Sequence, residues 1–86
     1  MNTLQRDIKK FMLLALYKAS DQAINDDTLR QLVRSAFSHV AIREAELSRI
    51  ITELKDSGLF VGTDHPVMGM MWNLSFTGSR EAKLLQ

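Results

Sequence analysis

Hydrophobic residues recur at helical spacing along three stretches of the chain, and each stretch predicts an amphipathic helix. The first stretch predicts a helix from about Thr3 to Ala19, whose apolar positions are Leu4, Ile8, Phe11, Met12, Ala15, Leu16 and Ala19. Leu13 and Tyr17 lie outside this stripe, on the basic side of the predicted helix. We expect them either to be covered by a loop or a later helix, or to form a homodimer contact.

A second helix is predicted to begin at Asp26. Asn25 precedes it as an N-cap, because its side-chain oxygen can accept hydrogen bonds from the free backbone amides of the first turn. Ile24 is then available for a very short edge strand. The predicted buried stripe of this helix consists of Leu29, Leu32, Val33, Ala36 and Phe37.

A turn at residues 38–42 leads to a third helix, predicted from about Arg43 or Glu44 to Ser57. Its apolar stripe consists of Leu47, Ile50, Ile51 and Leu54. Gly58 ends the helix, since glycine readily adopts the left-handed conformation found after helix ends. The two helices and their turn form a helix-turn-helix arrangement.

The period of the pattern changes from helical to alternating after Gly58. Residues 59–63 predict a strand, and Asp64–Pro66 predict the tip of a hairpin because proline interrupts a strand. In the return strand Met68, Met70, Trp72 and Leu74 alternate with the other residues and are predicted to face the core. We therefore expect residues 1–86 to form a single α+β domain.

Composition limits the function classes. The chain has 86 residues and no cysteine, which excludes disulfides, thiolate zinc sites and cysteine nucleophiles and suits a cytoplasmic protein. Arg6, Lys9 and Lys10 precede a short apolar run, but helical spacing begins before this run, so we predict neither a signal peptide nor a membrane span.

No constellation in the sequence indicates an enzyme. His39 and His65 are the only histidines, and they have no cysteine partner for a metal site and no recognisable nucleophile spacing. A capping or loop role is the alternative for both. The four glycines are too widely spaced for a phosphate-binding loop. We predict no catalytic residue, no metal and no cofactor.

The last strand and the residues that follow it resemble a stretch found in many bacterial winged-helix regulators. There, an aromatic residue, Leu, Ser or Thr, and Gly three residues later lead into a final helix. Trp72, Leu74, Ser75 and Gly78 take these places. Together with Ile24-Asn25 before the second helix and Leu54, Gly58 and Leu59 after the third, the resemblance covers residues 10–84.

The resemblance implies a winged helix-turn-helix fold, with a three-helix core, a β-hairpin wing and a short C-terminal helix. It also implies a small sequence-specific protein that binds double-stranded DNA, such as a transcriptional regulator of bacterial or prophage origin, with its third helix in the major groove. The chain departs from the pattern at Arg43, which stands where a Ser or Thr cap is usual, and at Asp64 and His65, which stand where a wing carries Arg or Lys.

Candidate DNA contacts follow from the outer faces of the predicted helices. Arg30 and Arg34 share one face of the second helix, where they are either solvated or contact phosphate. His65 lies at the hairpin tip. The outer face of the third helix presents Arg43, Ser48, Arg49 and Thr52.

The charge distribution supports a second function class. The net charge is only +1, and the third helix carries four acidic residues, namely Glu44, Glu46, Glu53 and Asp56. Carboxylates near a phosphate backbone repel it. The alternative is therefore a winged-helix protein-protein interaction module, with the third helix or the methionine-rich hairpin as its contact surface.

Overall fold

The structure is a computed structural model, and it describes residues 3–19 and 22–86. Four helices and three strands follow one another in this part of the chain. In order they are α1 (Thr3–Lys18), β1 (Ile24–Asn25), α2 (Asp26–Ala36), α3 (Glu44–Asp56), β2 (Phe60–His65), β3 (Gly69–Leu74) and α4 (Phe76–Leu84). The protein is α+β, and each predicted helix and strand is found at nearly its predicted place.

The three strands form one antiparallel sheet in the spatial order β1-β3-β2. In the hairpin, Phe60 pairs with Leu74 near the core and His65 pairs with Gly69 at the far end. In the short strand β1, Ile24 pairs with Trp72. Since β1 immediately precedes α2, this pairing attaches the helices to the hairpin.

Local capping explains where the helices begin. The side chain of Asn25 accepts hydrogen bonds from the backbone amides of Asp27 (3.0 Å) and Thr28 (3.4 Å), which confirms the predicted cap of α2. Arg43 precedes α3 with an extended backbone and makes no side-chain capping bond. The start of α3 therefore depends on other contacts.

One hydrophobic core lies between the helices and the inner side of the sheet. Helix α1 contributes more buried side chains to it than α2, and the sheet closes it with Phe60 and Trp72, whose rings are 6.0 Å apart. The buried hydrophobic residues are Ile8, Met12, Leu13, Leu16, Leu29, Val33, Ile42, Leu47, Ile50, Ile51, Leu54, Phe60, Trp72 and Ala82.

Four residues predicted to be buried are not. Leu32 is 39% exposed and Ala36 is exposed, because that side of α2 is not covered by another element. Met68 and Met70 are 52% and 37% exposed. In β2 only Phe60 is buried, so the hairpin extends beyond the helices and its far half has no core to face.

The predicted dimer contact is wrong for Leu13 and stays a prediction for Tyr17. Leu13 is only 6% exposed and belongs to the core, and Tyr17 packs against it as a partly buried residue. Helix α4 packs along α1, and its Ala82 lies in the same core. The chain itself therefore buries Leu13, the residue that the sequence offered to a second copy.

The hairpin turn begins later than predicted. β2 continues through Asp64 and His65, and residues 66–68 form the turn before Gly69, whose φ is 78°. The ring nitrogen Nδ1 of His65 accepts hydrogen bonds from the backbone amides of Val67 (3.1 Å) and Met68 (3.0 Å). These bonds satisfy the turn amides and confirm the loop-capping role that the sequence left open for His65.

The structure favours glycine at two positions, for two different reasons. Gly58 has φ 79° after α3, and a Cβ there would meet no atom, so only its backbone conformation favours glycine. Gly78 is buried in the first turn of α4, where a Cβ would overlap the backbone carbonyl oxygen of Leu59. Ser75 caps α4 by accepting from the Gly78 amide at 2.9 Å, and its hydroxyl also donates to the Gly58 and Leu59 carbonyls.

This difference gives a stability prediction. Gly78→Ala should lower the free energy of unfolding by about 1–3 kcal/mol, because the added methyl group displaces the Leu59 backbone. The control Gly58→Asn should change it by less than about 1 kcal/mol, since asparagine tolerates the left-handed conformation. Urea denaturation of both variants measures the difference. Equal stability of Gly78→Ala and wild type would contradict the close approach.

Candidate nucleic-acid interface

Helix α3 presents one continuous exposed face. Ser48, Arg49 and Thr52 are exposed on it, opposite the four buried residues of the helix. Arg43 is exposed just before the first turn. A shallow depression at this end of the helix is lined by Arg43, Ala45, Glu46 and Arg49. The structure thus places the four residues predicted on α3 at one surface.

The side chain of Arg30 extends from α2 to α3 and does not lie on an open face. Its Nε donates to Asp26 at 2.8 Å, and its Nη1 donates to the carboxylate of Glu44 at 3.0 Å and to Ser48 Oγ at 3.0 Å. Asp26 in turn accepts from Trp72 Nε1 at 2.9 Å. The side chain of Arg30 is only 17% exposed, so its first role is to join α2 to α3.

Arg34 binds the same carboxylate one helical turn later. Its Nη2 donates to Glu44 at 2.6 Å, and its Nη1 donates to the backbone carbonyl of Ile42 at 2.7 Å. Glu44 is therefore held by two guanidinium groups from α2. We call the set Trp72, Asp26, Arg30, Arg34, Glu44 and Ser48 the α2–α3 clamp.

The clamp bears on the prediction that Arg30 and Arg34 contact phosphate, because it already engages both side chains. Both guanidinium groups already have carboxylate partners in the free protein, so a phosphate would have to compete with Glu44 or share its donors. Their contact with DNA stays a prediction. Their structural contact with α3, which the sequence did not indicate, is plain from the geometry.

Two of the four carboxylates on α3 form ion pairs with basic side chains of other helices. The hydrogen bond from Arg34 lowers the pKa of Glu44, with the charges of Arg30 and Arg34 acting in the same direction. Lys9 on α1 lies 2.7 Å from Glu53, and its hydrogen bond and charge lower the pKa of Glu53. Both carboxylates thus remain ionised and are held by cations of neighbouring helices.

The charges that stay unpaired on α3 and at Arg43 before it nearly balance. Within the described part of the chain, Arg43, Arg49 and Lys55 form no ion pair, and Glu46 and Asp56 are the unpaired carboxylates. The unpaired side chains of α3 itself therefore sum to zero, and Arg43 before the helix adds one positive charge. The repulsion that the four acidic residues suggest is smaller than their number implies.

His65 is not part of this surface in any contact that the structure shows. It lies at the end of the hairpin next to the exposed Asp64, and one ring nitrogen is occupied by the turn amides. A DNA contact by His65 stays a prediction.

The sequence missed Asp26, Glu44 and Trp72 as members of the polar network. Asp26 and Arg30 are four residues apart on α2, and this spacing is a recognised signal for an ion pair. The contacts of Glu44 with Arg30 and Arg34 cross between two helices over 14 and 10 residues of sequence, and no local pattern marks them.

Residues 3–19 and 22–86 contain no group of three or more histidine, cysteine, aspartate or glutamate side chains placed to hold a metal ion. No helix in the same residues combines the length and apolar character needed to cross a membrane.

Comparison with known proteins gives no further guide. No protein family matches the chain, and neither a curated protein nor a solved structure shows significant similarity to it.

The clamp predicts an acid-dependent loss of stability. Glu44 has a folded-state pKa below its ordinary value of 4.5, so its contribution is complete above that value and is lost as the pH falls through the folded-state pKa. Glu44→Gln should therefore lower stability at neutral pH and flatten the loss of stability below pH 4.5.

Denaturation at a series of pH values measures this effect. The control Glu81→Gln removes an exposed carboxylate that forms no ion pair in the described residues. It should leave the pH profile close to that of wild type. Parallel profiles for Glu44→Gln and wild type would show that the ionisation of Glu44 contributes nothing to the pH dependence of stability, which contradicts the prediction.

Proposed function

We propose that the protein is a small winged-helix protein that binds double-stranded DNA sequence-specifically and acts as a transcriptional regulator. The order α1-β1-α2-α3-β2-β3-α4 and the three-stranded antiparallel sheet are compatible with a winged helix, in which α2 and α3 form the helix-turn-helix and β2–β3 the wing. The Ser75 cap and the close approach at Gly78 give a physical reason for two of the residues on which the resemblance to bacterial regulators rests.

The observation that carries the proposal is the exposed face of α3. It combines the guanidinium groups of Arg43 and Arg49, which form no ion pair in the described residues, with the small side chains of Ala45, Ser48 and Thr52. Small side chains let the helix backbone approach the bases, and a free guanidinium can donate two parallel hydrogen bonds to guanine. Arg49, at the middle of the face, is the best base-reading residue.

The neighbouring side chains take different roles. Arg43 and Lys55, near the two ends of α3, are suited to contact phosphates, which position the helix without reading sequence. Arg30 and Arg34 act through Glu44, since they fix the direction of α3 relative to α2. The clamp would therefore hold the reading helix in place before DNA arrives.

The small number of free cations implies a weak dependence on salt. If Arg43 and Lys55 each neutralise one phosphate, the logarithm of the binding constant should fall with the logarithm of salt concentration with a slope of about −2 per protomer. Nonspecific affinity is then low, and specific contacts must supply most of the binding free energy. A bacterial or prophage regulator of this kind would act in the cytoplasm.

One observation favours a second function, a protein-protein interaction module. Val67 is 84% exposed, Met68 52% and Val61 46%, so the hairpin presents apolar side chains to solvent. Such residues are adaptable contacts for another protein. They are also unsuited to the phosphate contacts that a DNA-binding wing makes.

Replacing Arg49 separates the two functions. Arg49→Ala should weaken binding to a specific DNA site by about 1–3 kcal/mol and relax the preference at one base pair. The thermal transition should hardly change, because the side chain is exposed and has no ion pair in the described residues. A specific site is first selected from random duplex DNA, and affinities are then measured by fluorescence anisotropy.

The matched control is Arg80→Ala on α4. It removes the same charge from a side chain that lies 6.0 Å from the Phe76 ring, away from α3, and should leave DNA affinity nearly unchanged. Equal losses in the two variants would indicate a general charge effect. Absence of DNA binding by the wild type at low salt would refute the proposed function and favour the hairpin as a protein contact.

A further inference from the structure

A stripe on α1 remains only partly covered by the rest of the chain. It consists of Asp7, Phe11, Leu14 and Lys18; the middle two are half-buried and the outer two are exposed. Phe11, Leu14 and Lys18, together with Ala15 and Leu32, line an open hollow of about 350 Å³ between α1 and α2. This hollow is the reason that Leu32, which the periodicity of α2 predicts to be buried, is exposed.

The spacing of the stripe is that of a helix-helix contact. Its members are four, three and four residues apart, which is the alternation that places side chains along one seam of paired helices. The apolar residues are in the middle, and opposite charges stand at the two ends. Asp7 and Lys18 are 11 residues apart, or about 16 Å along the helix, so they cannot pair with each other within one molecule.

The stripe is symmetric about its centre, and this symmetry selects the partner. If two copies of α1 lie antiparallel around a twofold axis, Asp7 of each copy faces Lys18 of the other, and Phe11 of each faces Leu14 of the other. A parallel arrangement would instead place like charges together at both ends. No ion pair engages Asp7 or Lys18 in the described residues.

We propose that the protein forms a homodimer through antiparallel packing of α1, with the Asp7–Phe11–Leu14–Lys18 stripe as its interface. The second copy covers the hollow and the exposed part of Leu32. Two symmetric Asp7–Lys18 contacts set the antiparallel direction. This surface replaces Leu13, which is buried in the core.

The interface leaves α3 accessible. Lys9, which binds Glu53 on α3, is nine residues from Lys18, or about two and a half helical turns, and so lies on the opposite side of α1. Dimer formation therefore does not depend on the proposed DNA-binding function, and each can fail without the other.

Reversing the charges tests the arrangement. Sedimentation of the wild type from about 1 to 500 µM at low salt should show a reversible monomer–dimer equilibrium. We expect a dissociation constant in the micromolar range, because the stripe is short and its charged ends are exposed. Asp7→Lys alone or Lys18→Asp alone places like charges together twice and should raise that constant about tenfold or more. The double variant, with both changes in one chain, should restore it to near the wild-type value.

Rescue by the double variant is an outcome that a merely structural role of either residue would not produce. Leu14→Ser should also abolish the dimer, whereas Leu84→Ser, which removes a 79% exposed leucine on α4, should not. All variants should keep the wild-type circular dichroism spectrum, because the changed side chains lie outside the core. A wild type that stays monomeric, or single variants that weaken the dimer without rescue in the double variant, would overturn the proposal.

Discussion

The start of α3 is joined to α2 through one carboxylate, that of Glu44. Its helix begins without a side-chain cap from Arg43, and Glu44 in the first turn is instead held by Arg30 and Arg34 of α2. The same Arg30 reaches Asp26, which accepts from Trp72 in the sheet. A chain of polar contacts thus runs from β3 through α2 to the start of α3. Apolar packing can hold helices together at several angles, but these directional bonds select one.

The clamp also determines which charges remain for a partner. Counted along the sequence, α3 is acidic and α2 offers two arginines to DNA. In the folded molecule Glu44 and the two arginines bind one another, and Glu53 binds Lys9. The charges left unpaired on α3 then cancel, and Arg43 before the helix adds one positive charge. Charge counting by element was misleading because ion pairs between helices redistribute the charge that solvent and ligands meet.

Local signals in the sequence predicted much of the fold, and long-range contacts account for most of the errors. The Asn25 cap and the left-handed Gly58 each act within a few residues, so their roles could be inferred from the chain alone. Ser75 and Gly78 were marked only by the resemblance, and the close approach of Gly78 to Leu59 is a long-range contact. The exposure of Met68 and Met70 depends on how far the hairpin extends beyond the helices, and alternation cannot show this. The burial of Leu13 in the core, which α4 joins through Ala82 more than 60 residues later, has no local signal either.

Helix α1 connects the two proposed surfaces because its opposite sides have different contacts. One side joins α3 through the Lys9–Glu53 ion pair, and the other carries the stripe that is complementary to its own copy. Dimerisation along that stripe would present two α3 helices related by a twofold axis, which suits an inverted-repeat DNA site. It would also supply affinity that the few free cations of one protomer lack, since the second helix binds at a high effective concentration once the first is in place. The low net charge of the chain is then compatible with specific DNA binding by the pair.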